Sequence, residues 1–178
     1  MNHPKAIVHL DRLARNYKIL SNSVNGKRLM AVVKANAYGH GAIECSKTLE
    51  DQGCDFFSVF TVEEAKELRN AGMKSDILIL SKLEKESIQT AIDNDLIVNI
   101  SSIDDLDSII FHLEKNGLSP RFHMKIETGM NRLGFDLSDI SLAIRKLLDY
   151  RNLNCEGIYT HYATSDEGDL TYAHLQLE

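Results

Sequence analysis

Leu29-Met30-Ala31-Val32-Val33-Lys34, continued by Ala35-Asn36-Ala37-Tyr38-Gly39-His40-Gly41, is the stretch on which the reading of this chain turns. A short apolar run with two valines suits a buried strand. The next seven residues are small or polar and include two glycines, and a helical pattern opens at Ala42. Strand, loop and helix in that order make one βα unit. Lys34 then stands at the C-terminal end of the strand.

The same rhythm repeats along the chain. Apolar runs occur at Leu29 to Val33, Asp55 to Phe60, Ile77 to Leu80, Leu96 to Ile100, Arg121 to Ile126 and Glu156 to Thr160, with stretches of helical period between them. Such alternation is the mark of a parallel sheet. Some helix ends are legible: Thr61 with Glu64 forms a capping box and Gly72 a stop, and Ser102 with Asp105 gives a second start that Gly117 ends. An earlier segment, Ala6 to Leu10 and then Asp11 to Leu20, reads as a further strand and helix. The two prolines, Pro4 and Pro120, mark no linker, so one domain is expected. Six βα units suit either an open doubly wound sheet or a closed barrel. A chain of 178 residues is short for closure, which usually takes about 250. No GxGxxG follows the first strand, so a dinucleotide site has no support.

Composition narrows the partners. Hydrophobic residues make up 43% and charged residues 26%, ordinary globular usage. A net charge of -6 with scattered lysines argues against nucleic acid. The start, Met1 to Lys5, lacks the apolar core of a signal peptide, and no apolar stretch approaches the roughly 18 residues that span a bilayer. A cytoplasmic protein with no membrane partner is expected. Cys45, Cys54 and Cys155 show no CxxC spacing and read as small buried hydrophobes.

Three strand ends carry candidate chemistry. Half enclosed by apolar neighbours, Lys34 is placed to lose its proton and act as a free amine, although a lysine that snorkels into water suits the position too. Tyr38, four residues on, can offer a hydroxyl to a phosphate near the same strand end. The run His123-Met124-Lys125-Ile126-Glu127-Thr128-Gly129-Met130-Asn131-Arg132-Leu133-Gly134-Phe135 leaves the fifth strand and sets Arg132 in a glycine-flanked loop. A guanidinium there suits a carboxylate or phenolate, or a plain surface salt bridge. Tyr159-Thr160-His161-Tyr162-Ala163-Thr164-Ser165-Asp166-Glu167 ends the sixth strand with His161, which also reads as a satisfied structural histidine. Asp166, Glu167 and Asp169 with His161 and His174 allow a metal-hydrolase reading. No HxH or HExxH spacing organises them, and a helix start with acids in its first turn explains them more simply.

Taken together, the three motifs resemble those of the alanine racemases. AVVKANAYGHG is similar to their cofactor-lysine motif, HMKIETGMNRLGF to their K-x-D-T-G-M-x-R-x-G element, and YTHYATSDE to T-H-[FY]-A-x-[AS]-D-E. The resemblance implies a (β/α)8-type TIM barrel, here truncated to about six βα units. It implies pyridoxal 5'-phosphate as cofactor, held covalently by Lys34, which would also be a catalytic base. Tyr38 is then a cofactor residue, and Arg132 contacts both the cofactor's phenolic oxygen and the substrate carboxylate. Lys125 is the position that the family often carbamylates. His161 supports the cofactor from below. Glu127 departs from the family's aspartate. The implied partners are an amino acid substrate and a second copy of the chain. The resemblance ends inside the sixth helix, before the family's last two strands, its β-domain and its second base, a tyrosine; inactivity of the 178 residues alone is expected. A non-catalytic pyridoxal-phosphate homeostasis protein of the same barrel is the chief alternative, with a decarboxylase of the fold group behind it.

Overall fold

A computed structural model describes residues 5–178, which fall into two compact units. Among the described residues the first comprises 5–81 and Asp93–Leu96, the second Lys82–Ile92 and Ile97–Glu178.

In the first unit, α1 (Leu10–Ser23) leads to β1 (Ala31–Val32), a helical turn α2 (Lys34–Gly39), α3 (Ala42–Asp51), β2 (Phe56–Val59), α4 (Val62–Asn70) and β3 (Asp76–Lys82). The strands are parallel and lie in chain order, with Ala31 opposite Phe57 and Phe57 opposite Ile77. β1 is shorter than the apolar run suggests. Only two of its residues pair in register, and Val33 N–H extends the ladder by one bond to Ser58 O (2.8 Å). The expected strand at Ala6 to Leu10 does not form: residues 5–9 carry no regular structure, and helix begins at Leu10. A strand needs a paired neighbour, and Ile7 stands 80% exposed.

The middle of the sheet is apolar on both faces, with Phe57, Val59, Ile77, Leu78 and Ile79 buried, as parallel strands between helices require. α4 lays Val62, Ala65 and Leu68 on that core. The Thr61 and Glu64 capping box is formed, and Gly72 follows the helix with left-handed backbone. Arg69 closes this end of the unit. Its guanidinium donates to four main-chain carbonyls, those of Met73, Ser75, Asn94 and Asp95, at 2.7–3.1 Å.

The second unit contains α5 (Ile88–Asp93), β4 (Ile97–Ile100), α6 (Ile103–Asn116), β5 (Arg121–Lys125), α7 (Ile140–Asp149), β6 (Asn154–Tyr159) and α8 (Thr171–Leu175). Its three strands are again parallel and in chain order, with a register shift at Phe122/His123. β4 is buried throughout, whereas β6 alternates, with Ile158 73% exposed. Ser102 caps α6 by accepting Asp105 N–H, and Gly117 ends the helix in the left-handed region. Cys45 and Cys54 are buried and Cys155 half-buried, all as free thiols.

Because four carbonyls lose their donor together, Arg69→Ala should lower unfolding free energy by about 2–4 kcal/mol, and Arg69→Lys should recover only part, having no planar fork. Urea denaturation of the three proteins checks this.

Candidate functional site

Lys34 stands two residues beyond the end of β1, and it is half-buried with Nζ 6.0 Å from the centre of the Phe60 ring. The four residues after it take an unusual path. Ala35, Asn36, Ala37 and Tyr38 all have φ between 50 and 55° and ψ between 37 and 49°, so the turn is helical but left-handed. For residues other than glycine this costs about 1–2 kcal/mol each, and such runs are normally avoided.

Hydrogen bonds hold the turn in place. Ala37 N–H donates to Val33 O (2.8 Å) and Gly41 N–H to Asn36 O (3.0 Å). The Asn36 side-chain oxygen accepts from Ala42 N–H (2.7 Å), capping α3. Ala35 N–H donates to Glu64 Oε1 (2.7 Å). Tyr38 ends the left-handed run 60% exposed. The expected small-residue loop is therefore present but wound the wrong way for alanine, and no feature of the sequence announces that.

In the second unit Lys125 and Arg132 lie near Tyr159. Lys125 is buried at the end of β5, its Nζ 5.8 Å from the Tyr159 ring centre. Burial pushes the Tyr159 phenol well above its ordinary value, and the nearby Arg132 charge opposes this only in part. The hydroxyl remains a donor and reaches the buried Asn99 Oδ1 at 2.8 Å. Arg132 is exposed on a loop whose base is tied by Glu127 N–H to Phe135 O (3.0 Å) and Phe135 N–H to Lys125 O (2.8 Å). At Gly134 a β-carbon would fall 2.5 Å from the Glu127 nitrogen, so only glycine lets the two arms of the loop approach.

Glu127, where the racemase motif usually has aspartate, organises the same loop from within. Its carboxylate accepts Gly129 N–H (2.5 Å) and Arg132 N–H (3.2 Å). Burial pushes its pKa up, but main-chain donors at Asn131, Gly129, Arg132 and Met130 outweigh that and hold it below the usual 4.5. The longer side chain therefore keeps the loop satisfied.

His161 is exposed in the loop after β6, and its carbonyl accepts from Gln176 Nε2 (3.1 Å). Gln176 itself is buried. It also donates to Thr128 Oγ1 (3.1 Å) and accepts Ala163 N–H (2.8 Å), joining the arginine loop to the histidine loop. Neither Gln176 nor the role of Tyr159 is foreseen from the sequence. Tyr159 lies inside the third motif and could have been singled out, whereas nothing marks a glutamine near the end of a short helix. Asp169, one of the acids in the metal reading, accepts Thr171 N–H and Oγ–H at the start of α8. Among the described residues no three metal-ligating side chains are grouped.

Residues 8–178 match the family described as "Alanine racemase, N-terminal domain". An alanine racemase of Methanococcus maripaludis is 39% identical over 179 residues, covering 99% of this chain and 48% of that protein. The alanine racemase of E. faecalis superposes with a TM-score of 0.86 at 33% identity, over 95% of this chain and 46% of the other. A histidine racemase from Leuconostoc mesenteroides subsp. sake gives 0.88 at 26% identity, over 94% and 45%. The chain belongs to the alanine racemase N-terminal domain family. It spans about half the length of the curated relatives it matches, and over that span it has the fold of a (β/α)8-type barrel, with six βα units present.

Glu127 binds its proton less readily folded than unfolded, so its stabilising contribution is full above 4.5 and lost as pH falls through its lower folded value. Wild type should accordingly exceed Glu127→Gln in urea midpoint at pH 7, with the gap closing below pH 4.5. Titrations at several pH values check this.

Proposed function

We propose that this chain carries the N-terminal part of a pyridoxal-phosphate-dependent alanine racemase, which interconverts L- and D-alanine and supplies D-alanine to the cell wall. The observation that carries the reading is Lys34 at the end of β1, followed by a strained left-handed turn, in a chain of the alanine racemase N-terminal domain family.

The residues present suit the cofactor. A half-buried amine can bond its aldehyde carbon, and the exposed Tyr38 hydroxyl is free to approach a phosphate. Strain stored in four consecutive residues is a feature of sites where backbone must be placed against a ligand. When bound, pyridoxal phosphate supplies an electron sink that makes the Cα proton of an amino acid acidic. Lys34 anchors the cofactor and then holds and moves a proton at that Cα. Arg132 pairs with the substrate carboxylate, and Glu127 fixes its loop through main-chain bonds. Lys125, buried at the end of β5, is where a carbamate would replace a cation with an anion. His161 supports the cofactor from its loop, which Gln176 steadies. The substrate class is a free amino acid, and the names of the relatives favour alanine.

The same reading makes the protein cytoplasmic and self-associating. Supporting association, Ile158 on β6 and Leu148 and Ile144 on α7 are 73%, 68% and 49% exposed.

Adding pyridoxal phosphate to the purified chain should give the absorbance of a lysine-bound cofactor, and borohydride should fix its mass on the Lys34 peptide. Lys34→Ala should abolish both; an unchanged band in that variant, or none in wild type, sinks the assignment. Light scattering should show species larger than a monomer at micromolar concentration, and a strict monomer would count against self-association.

A further inference from the structure

Glu64 serves two structures at once. As the third residue of α4 it completes the capping box, its Oε2 accepting Thr61 N–H at 3.2 Å while Thr61 Oγ1 accepts Glu64 N–H at 3.2 Å. The same Oε2 also accepts Phe60 N–H at 2.6 Å, where β2 has just ended. The other oxygen points elsewhere. Oε1 accepts Ala35 N–H at 2.7 Å, from a residue 29 positions earlier in the chain.

Ala35 is bonded to Lys34 and is the first of the four left-handed residues. Its N–H belongs to the peptide unit that leaves Lys34, so whatever binds it sets the direction in which the chain departs from β1. The turn's own support begins later, with Ala37 N–H on Val33 O. A capping box needs only one carboxylate oxygen, and nothing in helix capping calls for the second to reach another strand end. A charge-assisted bond to a backbone N–H is also among the stronger ones available to hold a strained segment.

We propose that Glu64 is a positioning residue for Lys34: by binding Ala35 N–H it ties the start of the left-handed turn to the end of β2 and fixes the amine's approach to the cofactor. This rests on the reading of Lys34 as the cofactor lysine. The acceptor must be a carboxylate, because both oxygens accept. Glutamine keeps one acceptor and must give up either Ala35 or the Phe60 and Thr61 pair.

The two jobs of Glu64 separate by mutation. Thr61→Ala removes the hydroxyl half of the box and leaves every contact of the carboxylate in place. Wild type, Thr61→Ala, Glu64→Ala and Glu64→Gln are compared by titrating the absorbance of lysine-bound pyridoxal phosphate and by the rate at which borohydride traps it on the Lys34 peptide, with thermal melting alongside. Glu64→Ala should weaken and slow attachment by about tenfold through loss of the charge-assisted bond to Ala35 N–H. Thr61→Ala should melt earlier yet bind within about twofold of wild type, and Glu64→Gln should fall between. If Glu64→Ala does not melt cooperatively, the Glu64→Gln and Thr61→Ala pair carries the comparison. Attachment by the Glu64 variants equal to wild type, or an equal loss in Thr61→Ala, overturns the assignment alone. Absence of the band in wild type overturns it together with the role of Lys34.

Discussion

Where a parallel strand ends, its last N–H groups leave the ladder and must find other acceptors. This chain meets that need at one strand end after another with a side chain from a following loop or helix. Glu64 takes the N–H groups of Ala35, Phe60 and Thr61 beyond β1 and β2. Asp105 takes Ser101 N–H (3.0 Å) beyond β4, Glu127 those of Gly129 and Arg132 beyond β5, and Gln176 that of Ala163 beyond β6. The loops that carry the candidate residues are thus held from beneath by anions and an amide.

The acids at helix starts show how one local signal diverges in use. Thr61 with Glu64 and Ser102 with Asp105 have the same spacing, and in both the hydroxyl accepts the N–H three residues on. Glu64 is one methylene longer, and its carboxylate returns to its own cap and also crosses to Ala35. Asp105 takes the N–H and the hydroxyl of Ser101 with one oxygen, and with the other it pairs with Lys82 Nζ at 3.0 Å, at the end of β3. Both carboxylates thus touch a second strand end, but only Glu64 holds backbone there, through Ala35 N–H, whereas Asp105 meets a lysine side chain.

Charge around the second unit's candidates follows the same economy. Lys125 is buried and Arg132 exposed, with the neutral Tyr159 ring close to both. A phenol held protonated by burial can donate to Asn99 without adding a third charge. Glu127, kept ionised by main-chain donors, spends its charge on the loop backbone and leaves the Arg132 fork free of it, since only the Arg132 main chain is engaged.

The sequence by itself determined the six βα units, two helix starts with their stops, the strand-end positions of Lys34, Arg132 and His161, and through its motifs the family. These are short-range properties: period, caps and the residues that follow an apolar run are all written within a few positions. It misread Ala6 to Leu10, because an apolar segment becomes a strand only beside a partner. The tertiary structure alone decided the left-handed path after Lys34, the neighbourhood of Tyr159, the tie made by Gln176 and the reach of Glu64 to Ala35. Each of these depends on residues brought together from 13 to 60 positions apart or on backbone strain that distant bonds offset, and no local pattern encodes such a meeting.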